Sequence, residues 1–223
     1  LGPFRIRWEM HTEFVTWTFI RSLSVDQAGS REPGSAIDAV AQDWVANLPG
    51  QCLSSLHLWA LPKALNSGDK LLVRQMLQEE SLVASSVAGG FAEAYTDFAI
   101  HSDGFSRILL FVGDMTPRRL GRLVQRLLEI ETYRMAALLA LPVARQATTE
   151  LAMTERELAE LAGAIRSATR NDEPLLLDRL TKLAGQVESQ HASNHARFSA
   201  SSAYFDLVDK RIDDIAEERL GGM

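Results

Sequence analysis

Glu9, His11 and Glu13 stand two residues apart, so an unbroken extended segment would place a carboxylate, an imidazole and a second carboxylate on one face. Such a row suits a divalent cation or acid–base chemistry, because flanking carboxylates raise the protonated fraction of a histidine and orient its ring. Its ordinary alternative is a solvated strand face beside a turn. A second group, Asp97, His101, Asp103 and Arg107, gathers around another turn. Asp103 before Gly104 is explained by turn chemistry, whereas Asp97 in an otherwise apolar run is not. The two groups meet only if their hairpins are sheet neighbours, and an acid–base hydrolase built on His11 and His101 requires that meeting. Buried polar pairs are more often structural.

Further along, Arg122, Arg126, Glu129 and Tyr133 follow one another at steps of three and four, the spacing at which helix side chains touch. They form either an internal ion-pair ladder or, through Arg122 and Arg126, a site for an anion or an acidic partner. Glu188, His191 and His195 share a helix face with the histidines four apart, a weak metal candidate that lacks the His-Glu-x-x-His pattern of catalytic zinc. No phosphate-cradling glycine loop and no nucleophile elbow occur, and Cys52 has no cue for activation. No cofactor is expected. Enzymatic activity is left open, with the balance against it.

The composition narrows the classes further. The 223 residues are 46% hydrophobic and 23% charged, which is ordinary for a folded domain and excludes disorder. Twenty-three basic against 29 acidic residues leave a net charge of −6, with no surplus to neutralise a nucleic-acid backbone. The single Cys52 cannot form an internal disulfide, which fits a reducing compartment. The longest apolar run, Met135 to Ala144, is far short of the roughly 20 residues of a spanning helix. The start at Leu1 and the Gly221-Gly222-Met223 end suggest a segment of a longer protein.

The elements that position these residues can be read from periodicity. Phe4, Ile6, Trp8 and Met10 alternate with Arg5, Arg7 and Glu9 as in a half-buried strand, and the β-branched and aromatic run Glu13–Ile20 continues as a hairpin partner or as one bulged strand. A surface loop is expected over Ser24–Gly34, then a helix capped by Ser35 and carrying Ile37, Val40, Ala41 and Trp44. Strands are expected at Cys52–Leu61, Leu82–Ala88, Phe91–Ile100 and Arg107–Val112, with a short helix over Lys70–Gln78 and a Gly89-Gly90 hairpin turn.

Residues 1–115 thus read as an α+β domain with an antiparallel or mixed sheet of about five strands and inserted helices. From Thr116-Pro117 onward, residues 116–223 read as long helices forming a coiled-coil-like hairpin. Pro142 must kink or end the first helix. Thr154 and Glu157 stand at capping-box spacing in the second, where Leu151, Leu158 and Ile165 recur by heptads and Leu161 joins them. The last helix is expected from Leu175 to about Leu220, on the order of 65 Å. Its seam is read as Leu180, Val187, His191, Asn194, Phe198, Ser201, Phe205, Val208, Ile212 and Ile215, small and polar over Ser189–Ser202.

The stretches Trp8–Phe19, Leu48–Gln51, Thr96–Arg107 and above all Gly121–Met135 (GRLVQRLLEIETYRM) resemble the signature segments of a family of membrane-anchored bacterial proteins bearing a domain-of-unknown-function label. Met10 and Ala99 depart from the pattern, which has Arg at each position. The resemblance spans essentially the whole chain and implies an N-terminal extension and hydrophobic C-terminal membrane segments beyond it; it implies no activity. The order of parts is also similar to that of CorA-type divalent-cation channels, whose Gly-Met-Asn signature is absent from the sequence.

The leading expectation is therefore a non-catalytic soluble domain of a membrane-anchored protein, on the cytoplasmic side, that oligomerises with itself or transmits a conformational state through its long helices. The first alternative is the regulatory domain of a CorA-like cation transporter, in which Glu9, Glu13, Asp97 or Asp103 senses a divalent ion. The second is the acid–base enzyme.

Overall fold

A computed structural model of the chain describes residues 3–23, 33–63 and 68–220, with residues 68 and 69 described by their backbone alone. Most of the expected loop at 24–34 lies outside these residues. The chain forms two compact units, one of Leu1–Glu131 with Arg211–Met223 and one of Thr132–Lys210. The change from strands to helices at 115/116 precedes this division because the first half of the following helix belongs to the core of the sheet unit, through Leu123 and Leu127.

In the first unit, the alternating N-terminal pattern folds as an antiparallel ribbon of β1 (Arg5–Met10) and β2 (Val15–Ile20), with Ile6 opposite Phe19 and Trp8 opposite Trp17. This ribbon is a sheet of its own. The His11 N–H donates to Phe14 O at 2.8 Å and closes the turn, so the hairpin forms and the single bulged strand does not. The helix expected after Ser35 is split. A 3₁₀ turn (Ala36–Ala39) and the five-residue α1 (Gln42–Ala46) are separated by extended backbone at Val40 and Ala41. Burial of Ala39 and Val40 and the bond from the Gln42 amide to Val40 O hold that break open. Trp44 then meets Trp17 and Phe19 edge-on, at 5.6 and 6.0 Å between ring centroids.

The main sheet has five strands in the order β3 (Leu56–Pro62), β6 (Ser106–Val112), β5 (Ala92–Thr96), β4 (Val83–Val87) and β7 (Glu218–Arg219). It is mixed, since β3 runs parallel to β6 and the remaining pairs are antiparallel. Leu109, Leu110 and Phe111 of β6 are essentially inaccessible, as a strand covered on both faces must be. One face carries Trp59, Leu61, Tyr95, Leu109 and Phe111 under α2 (Gly68–Met76), through Val73 and Met76, and under Leu77 just after it. The other buries Val87, Ala92, Ile108 and Leu110 under Leu123, Leu127 and Ile215. The Gly89-Gly90 turn takes φ of 66° and 84°, where glycine is unstrained.

Three helices follow: α3 (Pro117–Leu138), α4 (Ala140–Arg166) and α5 (Glu173–Asp214). The chain turns at Leu139, and Pro142 falls in the first turn of α4, where its missing N–H costs nothing. Thr154 therefore caps no helix start: it lies inside α4 and its hydroxyl donates to Glu150 O at 3.0 Å. In the second unit Ala136, Ala137, Ala140, Leu161, Leu183, Ser201 and Val208 are buried, and Ser201 Oγ donates to Ala137 O at 2.8 Å. Along α5 the least exposed positions include Leu183, Val187, Gln190, Asn194, Arg197, Ser201, Tyr204 and Val208. The expected heptad at 187, 194, 201 and 208 is thus right, but its companion heptad is 183, 190, 197 and 204. His191, Phe198 and Phe205 are on the exposed side. α5 ends at Asp214 rather than Leu220, because the chain reverses at Ala216 (φ 48°) and pairs with β4 as β7.

Candidate functional site

The polar group around the β5–β6 loop does assemble. Asp97, whose side chain is fully inaccessible, accepts from Gln78 N at 2.8 Å and Ala99 N at 3.1 Å, and meets His101 Nε2 at 2.9 Å. Asp103 accepts from Phe105 N at 3.0 Å and from Arg107 Nη2 at 2.9 Å. Arg107 Nη1 reaches Met76 O at 3.2 Å, while its buried Nε has no partner among the described residues. The four residues thus form a clasp: Arg107 binds the Met76 carbonyl at the end of α2, Asp97 binds the Gln78 N–H two residues on, and His101 and Asp103 tie the loop to them. Both oxygens of the Asp97 carboxylate are committed to protein donors, the usual state of a buried polar group.

His57, which the sequence reading did not single out, completes this neighbourhood. It lies on β3 opposite Arg107 and stacks on Phe105 at 3.9 Å with the rings 9° from parallel. Burial is the main influence on it and lowers its pKa below the ordinary 6.5, with Arg107 acting in the same direction and Asp103 opposing. Burial disfavours the Asp103 carboxylate, but the Phe105 N–H and Arg107 outweigh it and hold its pKa below 3.8. The cue for His57 is a parallel strand pair about fifty residues apart in sequence, which no local pattern reveals.

The first candidate group stays apart from this one. Glu9 pairs with Arg7 at 2.7 Å, His11 stacks on Phe14 at 4.5 Å, and Glu13 lies in the turn rather than on a strand face. The ribbon and the main sheet are separate sheets, so the pairing that would join His11 to His101 is not made. On α5 the rings of His191 and His195 lie 5.7 Å apart, both exposed, beside exposed Glu188. Among the described residues no three His, Cys, Asp or Glu side chains are grouped so as to hold a metal ion. None of the described helices is long and apolar enough to cross a membrane.

On α3 the expected ladder is replaced by pairs to the end of α5. Arg126 donates to Asp214 O at 2.8 Å, and Glu129 accepts from Arg211 and, at 2.8 Å, from Gln125. The Glu129 carboxylate raises the pKa of Arg211 further. Tyr133 lies in the second unit, stacked on Tyr204 with centroids 6.0 Å apart. Arg122 is exposed and bonded to none of the described residues.

No curated protein and no solved structure matches this chain. Its sequence does match, over residues 1–223, the model of a family described as a protein of unknown function, DUF3422, and the chain belongs to that family.

Proposed function

We propose that this chain is a non-catalytic module of a membrane-anchored protein, which associates with a second copy of itself through its long helices and carries a conformational state along them. The observation that carries this reading is a pair of exposed apolar heptad rows. Leu151, Leu158 and Ile165 on α4 are 50%, 48% and 51% accessible, and Phe198 and Phe205 on α5 are 39% and 52% accessible. Apolar side chains repeated every seven residues on a helix surface form the seam of a helix–helix contact, and exposed rows of this kind mark interaction surfaces. The engagement of both carboxylate oxygens of Asp97, Asp103 and Glu129 by protein donors supports a structural rather than a catalytic role for the polar clusters.

Light-scattering mass of the chain tests the proposal. A dimer or larger assembly is expected, unchanged by chelator, and Leu151→Glu/Leu158→Glu or Phe198→Glu/Phe205→Glu is expected to lower the mass while leaving the circular dichroism spectrum intact. A monomer at the highest soluble concentration overturns it. An assembly that dissolves on chelation favours the cation-sensing alternative instead.

A further inference from the structure

The β4–β5 turn, the first turns of α3 and the end of α5 line a half-open pocket of about 300 Å³, whose lining includes Arg119, Arg122 and Arg126 and one carboxylate, Asp214. On a chain of net charge −6, this is a local concentration of positive charge. The three arginines follow at steps of three and four and so share one face of α3. Their states differ. Arg119 Nη2 donates to Ala88 O at 2.8 Å, with its guanidinium 4.4 Å from the Phe91 ring centroid. Arg126 is held by the Asp214 carbonyl at 2.8 Å and its carboxylate at 3.6 Å. Among the described residues Arg122 has no such partner, which leaves the five donors of its guanidinium available to a ligand.

The pocket's backbone is unusual as well. Three non-glycine described residues have positive φ, and two of them, Ala88 at 56° and Ala216 at 48°, line this pocket. Backbone held in the left-handed region without glycine concentrates at ligand sites, where the surroundings sustain the strain. The volume is at the small end for ligand pockets, too small for a dinucleotide and adequate for one tetrahedral oxyanion with a short substituent.

We propose that this pocket binds a phosphate-type oxyanion, either inorganic phosphate or a phosphomonoester, with Arg122 as the principal ligand and Arg119 and Arg126 flanking it. Guanidinium forks match phosphate oxygens in pairs, which an ammonium does not. A bound dianion competes with Asp214 for Arg126, so occupancy acts on the last residue of α5. The site stands independently of self-association and is tested without reference to mass.

Inorganic phosphate and glycerol phosphate are titrated into the chain at constant ionic strength, with calorimetry and the arginine Nε–H resonances as readouts. In parallel, the chain is sedimented with phosphatidylcholine vesicles that contain or lack phosphatidic acid. Saturable binding is expected, weakened at least about tenfold by Arg122→Gln, a few-fold by Arg122→Lys, and hardly at all by Arg118→Gln, which removes one charge on the same helix outside the pocket. A response to the soluble phosphates assigns a free ligand. Binding to phosphatidic-acid vesicles alone, with the same dependence on Arg122, assigns a lipid headgroup. No saturable binding in either arm, or equal weakening by Arg118→Gln, overturns the proposal.

Discussion

Asp97 combines complete burial with three hydrogen-bond partners. Its two oxygens satisfy the Gln78 and Ala99 N–H groups and His101 in a site closed to water. Asp97→Ala leaves buried donors without acceptors, and each costs about 1–3 kcal/mol. Urea unfolding is therefore expected to show a loss of about 3 kcal/mol or more, and a smaller loss for Asp97→Asn, which keeps one acceptor oxygen. His57 carries a separate pH dependence. Its folded pKa lies below 6.5, so between the two values the unfolded chain binds more protons and stability falls with falling pH. Asp103 and Glu93, both with lowered pKa values, act in the same direction at still lower pH. The thermal midpoint is expected to decline from pH 7 toward pH 5, and less steeply in His57→Phe, which keeps the stack on Phe105. An equal slope in the variant would assign the decline to other groups.

At the scale of elements, the end of α5 is the most informative boundary. Apolar spacing alone extends this helix to about residue 220, yet the chain leaves it at Ile215 and Ala216. Ile215 is buried with Leu110, Leu123 and Leu127, and the Ala88 N–H donates to its carbonyl at 2.6 Å, so the last turn is fastened to the sheet. Ala216 at φ 48° pays a conformational cost that glycine does not. Ala216→Gly is expected to stabilise the chain by about 1 kcal/mol, a rise of roughly 2–4 °C in thermal midpoint. Ile215→Ala is expected to cost about 2–4 kcal/mol by the cavity it leaves against β6. Calorimetry on both variants checks the pair, and a destabilised Ala216→Gly would show that the Cβ at that position is in a needed contact.

For the molecule as a whole, the two units differ in what holds them. The sheet unit has a strand buried on both faces, while the least exposed positions of α5 over 187–201 are Val187, Gln190, Asn194, Arg197, Ala200 and Ser201. Few buried apolar contacts mean low local opening free energy. Amide hydrogen exchange is accordingly expected to be slowest over Ile108–Phe111 and markedly faster over 187–200. Uniform protection across both would indicate that self-association shields α5, which dilution of the sample tests directly.

Local states of the residues follow from the sequence: the alternation of β1 and β2, the Gly89-Gly90 turn, the turn at Asp103-Gly104, and the helical character after Pro117. Each depends on neighbours within a few positions, where backbone preference and side-chain period act. Tertiary structure alone decided that the N-terminal ribbon stays out of the main sheet, that β3 pairs parallel with β6 and brings His57 to Phe105, and that β7 closes the far edge. It also decided which of two heptad rows on α5 is covered, since both have the same period and only the partner surface distinguishes them. The arginine pocket is of the same kind: Arg122 and Arg126 are legible as neighbours on one helix, but Ala88, Asp214 and Ala216 come to them from distant parts of the chain.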